Sequence, residues 1–518
     1  MIEGMLQALP MMMDWQVWTT MLFGVIIGII VGAIPGLTFT LGVVLLLPFS
    51  FGLPPLPALA LLLGIYIGGM SAGSLTAVLI GIPGTPSSAC TVFDGYPMAQ
   101  NGQAGKALGV TIIYSIFGGL FSLLVLGAVA PQISRFALQF GPAEVFALVL
   151  FGFCTICSVS EGSVLKGLIA GTLGLLIMTI GLDPLMGVQR FTFNIVDLQS
   201  GIDMVPAMIG MFAIPQIIKE IRSLKQASDG TVIDSKVSAA LPTIREVLSN
   251  VGNAVRSALI GVGVGAIPGT GGPIASFMAY DLEKRLAKDK SKFGKGDIRG
   301  VIAPEVANNA VTGGALIPLL TLGIPGDPTT AVILGGMLIH GIRPGPLLFT
   351  QGGNIAYGIL LTVLLANLIS LVIMLYGIRF FVRVLSIPKK YLIPAILVMT
   401  VVGSYAIKNT IFDVYVMAAF GVLAYLMERY GFPTVPVILA LVLGPTIEGQ
   451  ARLALVMSEG DLSIFVSSPI AAGFLLLALL LVSWGPISML LQKWMGKGEH
   501  ASTSPGSFND SVDGQTVT

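Results

Sequence analysis

The sequence predicts an all-α polytopic membrane protein with about 11 spans, two re-entrant helical hairpins, and an inverted-topology repeat with broken helices. Three observations carry this prediction. Of the 518 residues, 54% are hydrophobic and only 10% are charged. No Asp, Glu, Lys or Arg occurs from Trp15 to Phe93, a stretch several times longer than the roughly 20 residues that cross a bilayer. Two helix-breaking phrases each occur twice, GAIPG at 32–36 and 265–269 and GIPG at 81–84 and 323–326.

Composition excludes several classes of function. The formal net charge is +1, and aromatic residues are not interleaved with Lys or Arg, so we expect no nucleic-acid partner. The three cysteines, Cys90, Cys154 and Cys157, lie in apolar surroundings. We therefore expect no cofactor and no metal site apart from one for Na⁺ as a coupling ion. No Walker lysine follows a glycine cluster, so ATP hydrolysis is not expected.

The repeated phrases divide the chain into two homologous halves, residues 1–220 and 251–450, joined by a cytoplasmic linker at 221–250. Small residues support this division, because the two copies of GAIPG and the residues before them share one offset of 233 positions: Gly24, Gly28, Gly32 and Gly36 match Ser257, Gly261, Gly265 and Gly269. Each half is predicted to contain a hairpin (20–50; 251–281), a broken helix (71–98; 310–341) and scaffold spans (108–220; 354–447). An extra span at 451–497 and a disordered cytoplasmic tail at 498–518 follow.

Flanking charges predict the orientation. The polar stretch 219–250 contains five basic residues and the stretch 281–299 contains seven, which favours the cytoplasm for both. The segment between them must then enter the membrane and return. The flanks of the first hairpin contain no Lys or Arg, so we expect the N-terminus in the periplasm and the C-terminus in the cytoplasm. This orientation requires that residues 54–70 and 297–309 lie along the interface, or within a bundle, without changing sides.

The phrases GIPGTP and GIPGDP predict interrupted helices, because two prolines and two glycines within six residues end a helix. Unwound backbone survives in a membrane only where it lines a cavity or meets a ligand. A half-helix beginning at Thr85 to Ser88 would direct its N–H groups at an anion. Half-helices ending at Ile82 and Ile324 would direct carbonyl groups at Na⁺. A kink that only shapes the bundle is the alternative.

The predicted substrate-binding residues therefore lie at the breaks, at the hairpin turns and on the helix before the second break. They are Pro35, Gly36, Thr38, Gly84, Thr85, Ser87, Ser88, Gly269, Thr270, Gly271, Asn308, Asn309, Gly326, Thr329 and Thr330.

Ionisable residues within apolar segments are functional candidates. Asp327 replaces Thr85 of the twin phrase and either ligates a cation, accepts a proton or caps a helix. Glu305, with Asn308 and Asn309, either lines the site or caps an interfacial helix. Four further residues are expected at the water interface: Asp94, Lys106, His340 and Arg343. A periplasmic loop with Glu448, Arg452, Glu459 and Asp461 is either a solvated face or a docking surface.

Long ordered stretches of the sequence resemble the TctA family, the large membrane subunit of the tripartite tricarboxylate transporters. The stretches include GIYIGGMSAGSLTAVLIGIPGTPSSACTVFDGYPMAQNGQAGKALG, GVGVGAIPGTGGPIASFMAYDLEKR and PEVANNAVTGGALIPLLTLGIPGDPTTAVILGGM. The resemblance implies a secondary transporter of the bacterial inner membrane. It also implies a small membrane subunit and a periplasmic substrate-binding protein as partners, and import of carboxylates such as citrate by symport with a cation.

Two other functions stay open at this stage. A passive channel would conduct without saturable, gradient-dependent uptake. A membrane-embedded enzyme would use Asp94 and Asp327 as paired acids, although the two fall at non-equivalent points of the repeat, and we expect no enzymatic activity. The sequence does not decide between a monomer and a homodimer.

Overall fold

The computed structural model describes residues 2–159, 163–183, 186–226, 239–350, 352–384 and 389–494. The predicted tail at 498–518 and the central part of the predicted linker, 227–238, lie outside these ranges.

The described chain is almost wholly helical. The helices of the first half are α1 (Ile2–Ala8), α2 (Trp15–Ala33), α3 (Phe39–Leu46), α4 (Pro55–Ile80), α5 (Val92–Met98), α6 (Ala104–Ala137), α7 (Pro142–Val159), α8 (Val164–Met178), α9 (Val196–Gln199) and α10 (Met204–Gln226). Two short strands, β1 (Gly181–Leu182) and β2 (Gln189–Arg190), pair antiparallel between α8 and α9.

Eleven helices follow residue 239 in the described ranges. They are α11 (Ile244–Ser249), α12 (Val251–Gly265), α13 (Gly271–Leu286), α14 (Ile298–Leu322), α15 (Pro328–Ile339), α16 (Gly353–Val384), α17 (Lys389–Lys408), α18 (Ile411–Arg429), α19 (Val435–Met457), α20 (Ile464–Ser467) and α21 (Pro469–Trp494). The 3₁₀ turns lie at Leu9–Met13, Pro48–Gly52, Pro86–Ser88, Lys290–Lys292 and Pro346–Phe349, and a π turn lies at Ala99–Gln103.

Nine helical segments within the described ranges are long and apolar enough to cross a membrane, and four shorter apolar helices accompany them. The long segments contain α2, α4, α5 with α6, α7, α10, α16, α17, α18 and α19. These helices confirm the predicted polytopic all-α membrane fold. The expected number of about 11 spans and the re-entrant course of the two hairpins stay predictions.

Close packing of α2 on α4 fixes the course of the first hairpin. A Cβ atom at Gly24, Gly28 or Gly32 would lie closer than 3.0 Å to the carbonyl oxygen of Leu61, Ile65 or Gly69, respectively. Because the residue numbers rise together on both helices, α2 and α4 run parallel. Helix α3 and the turn at Pro48–Gly52 must therefore return the chain to the level where α2 began.

The second half has the same arrangement in α12 and α14. A Cβ atom at Gly261 or Gly265 would lie closer than 3.0 Å to the carbonyl oxygen of Ala307 or Val311, respectively. Helices α12 and α14 are thus parallel as well, and α13 returns the chain between them. Glycine at these positions lets the helix backbones touch, which is the role of small residues in membrane helix packing.

Both predicted helix breaks are present, and both first arms are longer than expected. Helix α4 begins at Pro55 and α14 at Ile298, upstream of the predicted starts at 71 and 310. The arms end at Gly81 and Gly323, which are left-handed and so suit glycine. Almost every residue of both arms is buried. Residues 54–70 therefore lie within the bundle rather than along the interface.

The prediction of a half-helix at Thr85 to Ser88 is wrong. Only a three-residue 3₁₀ turn, Pro86–Ser88, follows the first break, and the next α-helix, α5, begins at Val92. Short polar side chains compete for backbone groups and disfavour helix here, and Ser88 Oγ donates to the Thr85 carbonyl oxygen at 2.9 Å. The second break differs, because α15 begins directly after Asp327.

The remaining long helices exchange partners between the halves. Helices α7 and α8 pack on α19, whereas α17 and α18 pack on α10. A Cβ atom at Gly174 would meet Val437 and Ala440, and a Cβ atom at Gly421 would meet Ile214. Each half therefore completes its packing with a helix of the other half.

Candidate functional site

Each GIPG break lies against the GAIPG phrase of its own half. In the second half, Gly269 N–H donates to the Gly326 carbonyl oxygen at 2.8 Å. In the first half, Gly84 N–H donates to the Gly73 carbonyl oxygen at 3.1 Å. A Cβ atom on Gly84 would lie closer than 3.0 Å to the Gly32 carbonyl oxygen. The predicted backbone elements of the site are therefore close together.

Side chains connect the two halves where α4 and α14 meet the breaks. Thr40 and Thr329 hydroxyl oxygens lie 2.6 Å apart. Ser71 Oγ donates to Asn309 Oδ1 at 2.7 Å. Asn308 Nδ2 donates weakly, at 3.3 Å, to the carbonyl oxygen of Met70. These contacts join α3 to α15 and α4 to α14 through buried side chains.

Asp327 lies directly after the second break, at the start of α15, and forms one part of the candidate site. Its Oδ1 accepts from Thr330 N–H at 2.7 Å and its Oδ2 from Tyr66 Oη at 2.6 Å. Thr330 Oγ1 in turn accepts from Asp327 N–H at 2.9 Å, which completes a capping box at the start of α15. Asp327 is therefore a helix N-cap, one of its predicted roles, and it places a buried carboxyl group at the second break.

Asn308, on α14, forms a second part of the candidate site, and its side chain is incompletely hydrogen-bonded. It is fully buried, and its Oδ1 has no hydrogen-bond partner within the described structure. A Cβ atom on Gly272 would lie 2.7 Å from Asn308 Oδ1 and 2.8 Å from Ser87 Oγ, so both polar atoms border one glycine. An unsatisfied buried polar atom costs about 1–3 kcal/mol, which a bound ion or ligand would recover.

Thr76 has the same property beside the first break. Its Oγ1 is buried, and it also has no hydrogen-bond partner within the described ranges. A Cβ atom on Gly84 would lie 2.9 Å from this oxygen. Within the described ranges, one oxygen atom without a hydrogen-bond partner, Thr76 Oγ1, therefore lies beside the first break, and another, Asn308 Oδ1, lies on α14.

Glu305 lies one turn before Asn308 and Asn309 on α14. Its carboxylate accepts from Thr91 Oγ1 at 2.5 Å and from Ser115 Oγ at 2.9 Å. Because all three α14 residues are buried within a continuous helix, the alternative that they cap an interfacial helix is wrong. Glu305 instead links α14 to α6 and to the segment after the first break.

The other predicted site residues serve the turns themselves. Thr38 Oγ1 accepts from Leu41 N–H at 3.2 Å and caps α3. Thr270 Oγ1 donates to the Ile267 carbonyl oxygen at 2.9 Å, inside the second turn. Gly36, after Pro35, and Gly271 have positive φ angles of 94° and 69°. None of these contacts reaches Asp327 or Asn308.

Asp94 was expected at the water interface, but its side chain has no contact with solvent. The side chain is fully buried. Its Oδ1 accepts from the N–H groups of Gly294, Gly296 and Asp297 at 2.8–2.9 Å, and its Oδ2 accepts from Tyr280 Oη at 2.9 Å. Asp94 thus anchors the loop before α14. Its hydrogen-bond partners are all different from those of Asp327, so these contacts do not join the two carboxyl groups as a pair.

Lys106 lies at the start of α6 and forms an ion pair with Glu246 of α11. The Lys106 ammonium, with help from the Thr243 N–H and hydroxyl groups, lowers the pKa of Glu246 to about 2. Ala240 N–H donates to the Gly105 carbonyl oxygen at 2.8 Å. The described end of the linker is therefore attached to the helix that follows the first break.

The remaining predicted polar residues lie at helix ends. His340 ring nitrogens lie 2.8 Å from the Gly336 carbonyl oxygen and 2.9 Å from the Ser50 carbonyl oxygen. Arg343 is exposed. Four charged residues join β1, β2 and α19 in one ion-pair network: Asp183, Arg190, Glu448 and Arg452. Glu459 and Asp461, by contrast, are exposed.

The comparison with known proteins covers both breaks and both hairpins. Residues 19–439 match the Tripartite tricarboxylate transporter TctA family. The chain belongs to the TctA family.

Two relatives of this TctA-family chain come from Agrobacterium vitis. An uncharacterized 52.8 kDa protein in the TAR-I ttuC' 3' region is 40% identical over 456 residues, which is 88% of this chain and 90% of the relative. An uncharacterized protein in the TAR-II ttuC' 3' region is 42% identical over 219 residues, which is 42% of this chain and 90% of that relative. No solved structure matches the chain significantly.

Sequence reasoning missed several residues of the candidate site. Tyr66, Ser71, Thr91 and Ser115 all bond predicted residues, yet each lies in an uncharged segment. One signal could have found Tyr66. The two GIPG phrases are 242 residues apart (84 to 326), and the same offset relates Tyr66 to Asn308. Each of these side chains reaches the region after the break of the opposite half.

The missed partners of the first hairpin turn come from α10. Gln216 Nε2 donates to the Gly36 carbonyl oxygen and, at 3.0 Å, to Glu220 Oε1. A Cβ atom on Gly36 would lie closer than 3.0 Å to the same Glu220 oxygen. The buried Glu220 carboxyl group, which the sequence placed in a polar connector, therefore lies against the GAIPG turn.

Proposed function

We propose that this TctA-family protein is the large membrane subunit of a binding-protein-dependent secondary transporter. It imports tricarboxylates or other small carboxylates, and Na⁺ or H⁺ drives the import. The single observation that carries this proposal is the meeting of both interrupted helices with buried, partly unsatisfied polar groups from the opposite half. Unwound backbone and unpaired oxygens are costly in a membrane, and ligand binding is the physical reason to keep them.

The two halves are proposed to be inverted repeats, residues 1–220 and 251–450. The parallel pairs α2–α4 and α12–α14, and the exchange of α10 and α19, support a repeat, and the flanking charges support its inversion. Inverted repeats place the substrate site between the halves near the bilayer midplane. The hairpins at 20–50 and 251–281 then enter the membrane and return.

The carboxylate of the substrate is proposed to bind in the space bordered by Ser87, Asn308 and Gly272. Thr85 and Ser88 lie next to Ser87 in the chain and are proposed to contribute to the same space. The second N–H of the Asn308 amide and the Ser87 hydroxyl can donate to a carboxylate without a basic side chain, whereas Asn308 Oδ1 accepts and suits a cation or a protonated oxygen of the ligand. The remaining predicted groups contribute the break backbone at Gly84 and Gly326 and the α15 residue Thr329.

The coupling cation is proposed to bind at the carboxyl group of Asp327. A buried carboxylate and an anionic substrate in one site repel each other strongly, because the local dielectric constant is low. A cation or proton at Asp327 removes this repulsion, so substrate binding and cation binding favour each other. Glu305, already held by Thr91 and Ser115, is a second proposed coupling group.

Movement of the hairpins and broken helices as one unit is proposed to give alternating access. The remaining membrane helices, α6–α8, α10 and α16–α19, form the scaffold. The contacts between Thr40 and Thr329 and between Tyr66 and Asp327 lie within the moving unit. Such contacts keep the two halves of the moving unit together during the movement.

The partners proposed from the family are a small membrane subunit and a periplasmic substrate-binding protein. The proposed location is the bacterial inner membrane, with the N-terminus in the periplasm and the C-terminus in the cytoplasm. A homodimer within the lipid bilayer is also compatible with this account.

A passive channel is the second candidate function. One uptake experiment tests the proposed carrier and distinguishes it from a channel. The chain and its small membrane subunit are reconstituted into proteoliposomes, and the binding protein loaded with labelled citrate, or with mono- or dicarboxylates, is added outside. A carrier accumulates label only with an inward Na⁺ or H⁺ gradient. Uptake that ignores both gradients contradicts the proposed coupling, and conductance without saturation supports the channel.

A further inference from the structure

A crevice opens between the C-terminal parts of α10 and α18. Its volume is about 540 Å³. Pro215 and Ile218 form an apolar floor, and the polar lining comes from the last turns of the two helices. The helices are parallel, because Gly210 lies against Met417 and Ile214 against Gly421. Both helices therefore end at this crevice.

The crevice has an excess of positive charge. Lys219, Arg222 and Arg429 face one carboxylate, that of Glu428. Lys219 pairs with Glu428 at 3.0 Å. Arg222 donates to Tyr425 Oη at 2.7 Å, and its guanidinium carbon lies 5.5 Å from the centre of the same ring. A guanidinium has five N–H donors, so the crevice has more donors than these contacts use.

Apolar side chains lead from the crevice along the outer surface of both helices. Ile221 on α10 and Val422 and Leu426 on α18 are 44%, 57% and 42% exposed, respectively. Exposed aliphatic side chains on membrane helices face acyl chains. The basic stretch 219–250 continues from α10, so in the proposed orientation this end of the helices lies at the cytoplasmic leaflet, where anionic lipids give a negative surface potential.

The other half shows what happens when the chain supplies its own anions. Arg452 on α19 follows Lys219 by 233 positions, the offset of the two GAIPG phrases. Arg452 lies 2.7 Å from both Asp183 and Glu448, and Arg190 lies 2.6 Å from Glu448. There two carboxylates offset two guanidinium groups, whereas the α10–α18 crevice has three cations and one carboxylate.

We propose that the α10–α18 crevice binds the phosphate group of an anionic phospholipid, whose acyl chains lie along Ile221, Val422 and Leu426. The phosphate accepts from Arg222 and Arg429, which present planar donor groups that suit phosphate oxygens. The lipid thereby fixes the end of α10, the helix that also carries Gln216 and Glu220 against the first hairpin turn.

Native mass spectrometry of the protein released from nanodiscs tests this proposal. The nanodiscs contain equal amounts of phosphatidylglycerol and phosphatidylcholine. The wild-type protein is expected to retain phosphatidylglycerol preferentially. The double variant Arg222→Gln/Arg429→Gln should lose this retention by about tenfold. Glu428→Gln removes the competing carboxylate and should increase it. The matched control Lys284→Gln/Arg285→Gln makes the same charge change on α13 and should behave as wild type.

Two results would overturn the proposal. Equal retention of phosphatidylglycerol by the wild type and the Arg222/Arg429 variant would remove the crevice as its site. Displacement of the lipid by millimolar inorganic phosphate, or equal binding of phosphate in phosphatidylcholine nanodiscs, would assign the crevice to a free anion instead.

Discussion

Tyr66 donates a hydrogen bond of 2.6 Å to Asp327 Oδ2, although the two residues are 261 positions apart. The bond joins the first arm of one broken helix, α4, to the helix start after the other break, α15. Asp327 also caps α15 through Thr330. One carboxyl group therefore has a structural role and, in our proposal, a coupling role, and one substitution separates them.

Asp327→Asn should abolish cation-dependent uptake while the protein stays folded. Asn caps helices about as well as Asp, but it has no charge with which to hold a cation. We expect uptake driven by a Na⁺ or H⁺ gradient to fall by about tenfold or more. Asp14→Asn is the control, because Asp14 also caps a helix, α2, at an exposed position. Cation-dependent uptake of wild-type size by Asp327→Asn would leave Asp327 as a cap alone.

The close contact of α12 and α14 predicts opposite effects at two neighbouring glycines. A Cβ atom at Gly261 would strike the Ala307 carbonyl oxygen, whereas one at Gly263 has no atom within 4 Å. Gly261→Ala should destabilise the protein by about 1–3 kcal/mol through overpacking. Gly263→Ala should stabilise it by up to about 1 kcal/mol through helix propensity. Thermal stability in detergent measures both, and equal effects would contradict the close contact of α12 with α14 at Gly261.

Cross-linking tests the proposed movement. In a variant without the three native cysteines, Gly152→Cys/Ile324→Cys links α7 of the scaffold to the second break, where a Cβ atom on Gly152 would lie 2.8 Å from Ile324. This cross-link should stop uptake, and a reductant should restore it. Leu62→Cys/Gly336→Cys links two parts of the moving unit, where a Cβ atom on Gly336 would lie 2.6 Å from Leu62, and should leave uptake largely intact. The reverse pattern would contradict the division into unit and scaffold.

The attachment of the linker should depend on pH. Lys106 lowers the pKa of Glu246 from 4.5 to about 2, so the ion pair stabilises attachment fully above 4.5 and loses its effect as the pH falls towards 2. Hydrogen exchange of residues 239–250 is compared between the wild type and Glu246→Gln, which cancels the intrinsic pH dependence. The ratio of the exchange rate in Glu246→Gln to the rate in the wild type should exceed one at neutral pH and approach one as the pH falls to about 2. A ratio that stays constant would contradict the ion pair's role.

The fold class could be predicted from the sequence because its causes are local. The uncharged run from Trp15 and the paired glycine-proline phrases report directly on membrane burial and helix ends. The phrases GIPGTP and GIPGDP look alike, so the sequence predicted the same structure after both. The difference between the 3₁₀ turn at Pro86–Ser88 and helix α15 arises from the residues that follow, which a motif comparison does not weigh.

The site could be predicted only in part. Its backbone breaks and Asp327 were visible as departures from an apolar background. Tyr66, Ser71 and Ser115 were not, because a hydroxyl group in an apolar helix gives no local sign of a partner about half a chain away. The burial of Asp94 was missed for a related reason, since three of its partners are N–H groups of a distant loop.

The most direct test of the account is carboxylate uptake by Asn308→Asp. The substitution keeps the shape of the side chain and adds a carboxyl group where the substrate carboxylate is proposed to bind. We predict that KM rises by about tenfold or more at neutral pH, because two carboxylates repel in a buried site. Asn367→Asp, at another buried asparagine on α16, is the control and should transport as wild type. An unchanged KM in Asn308→Asp would contradict the assignment of the substrate site.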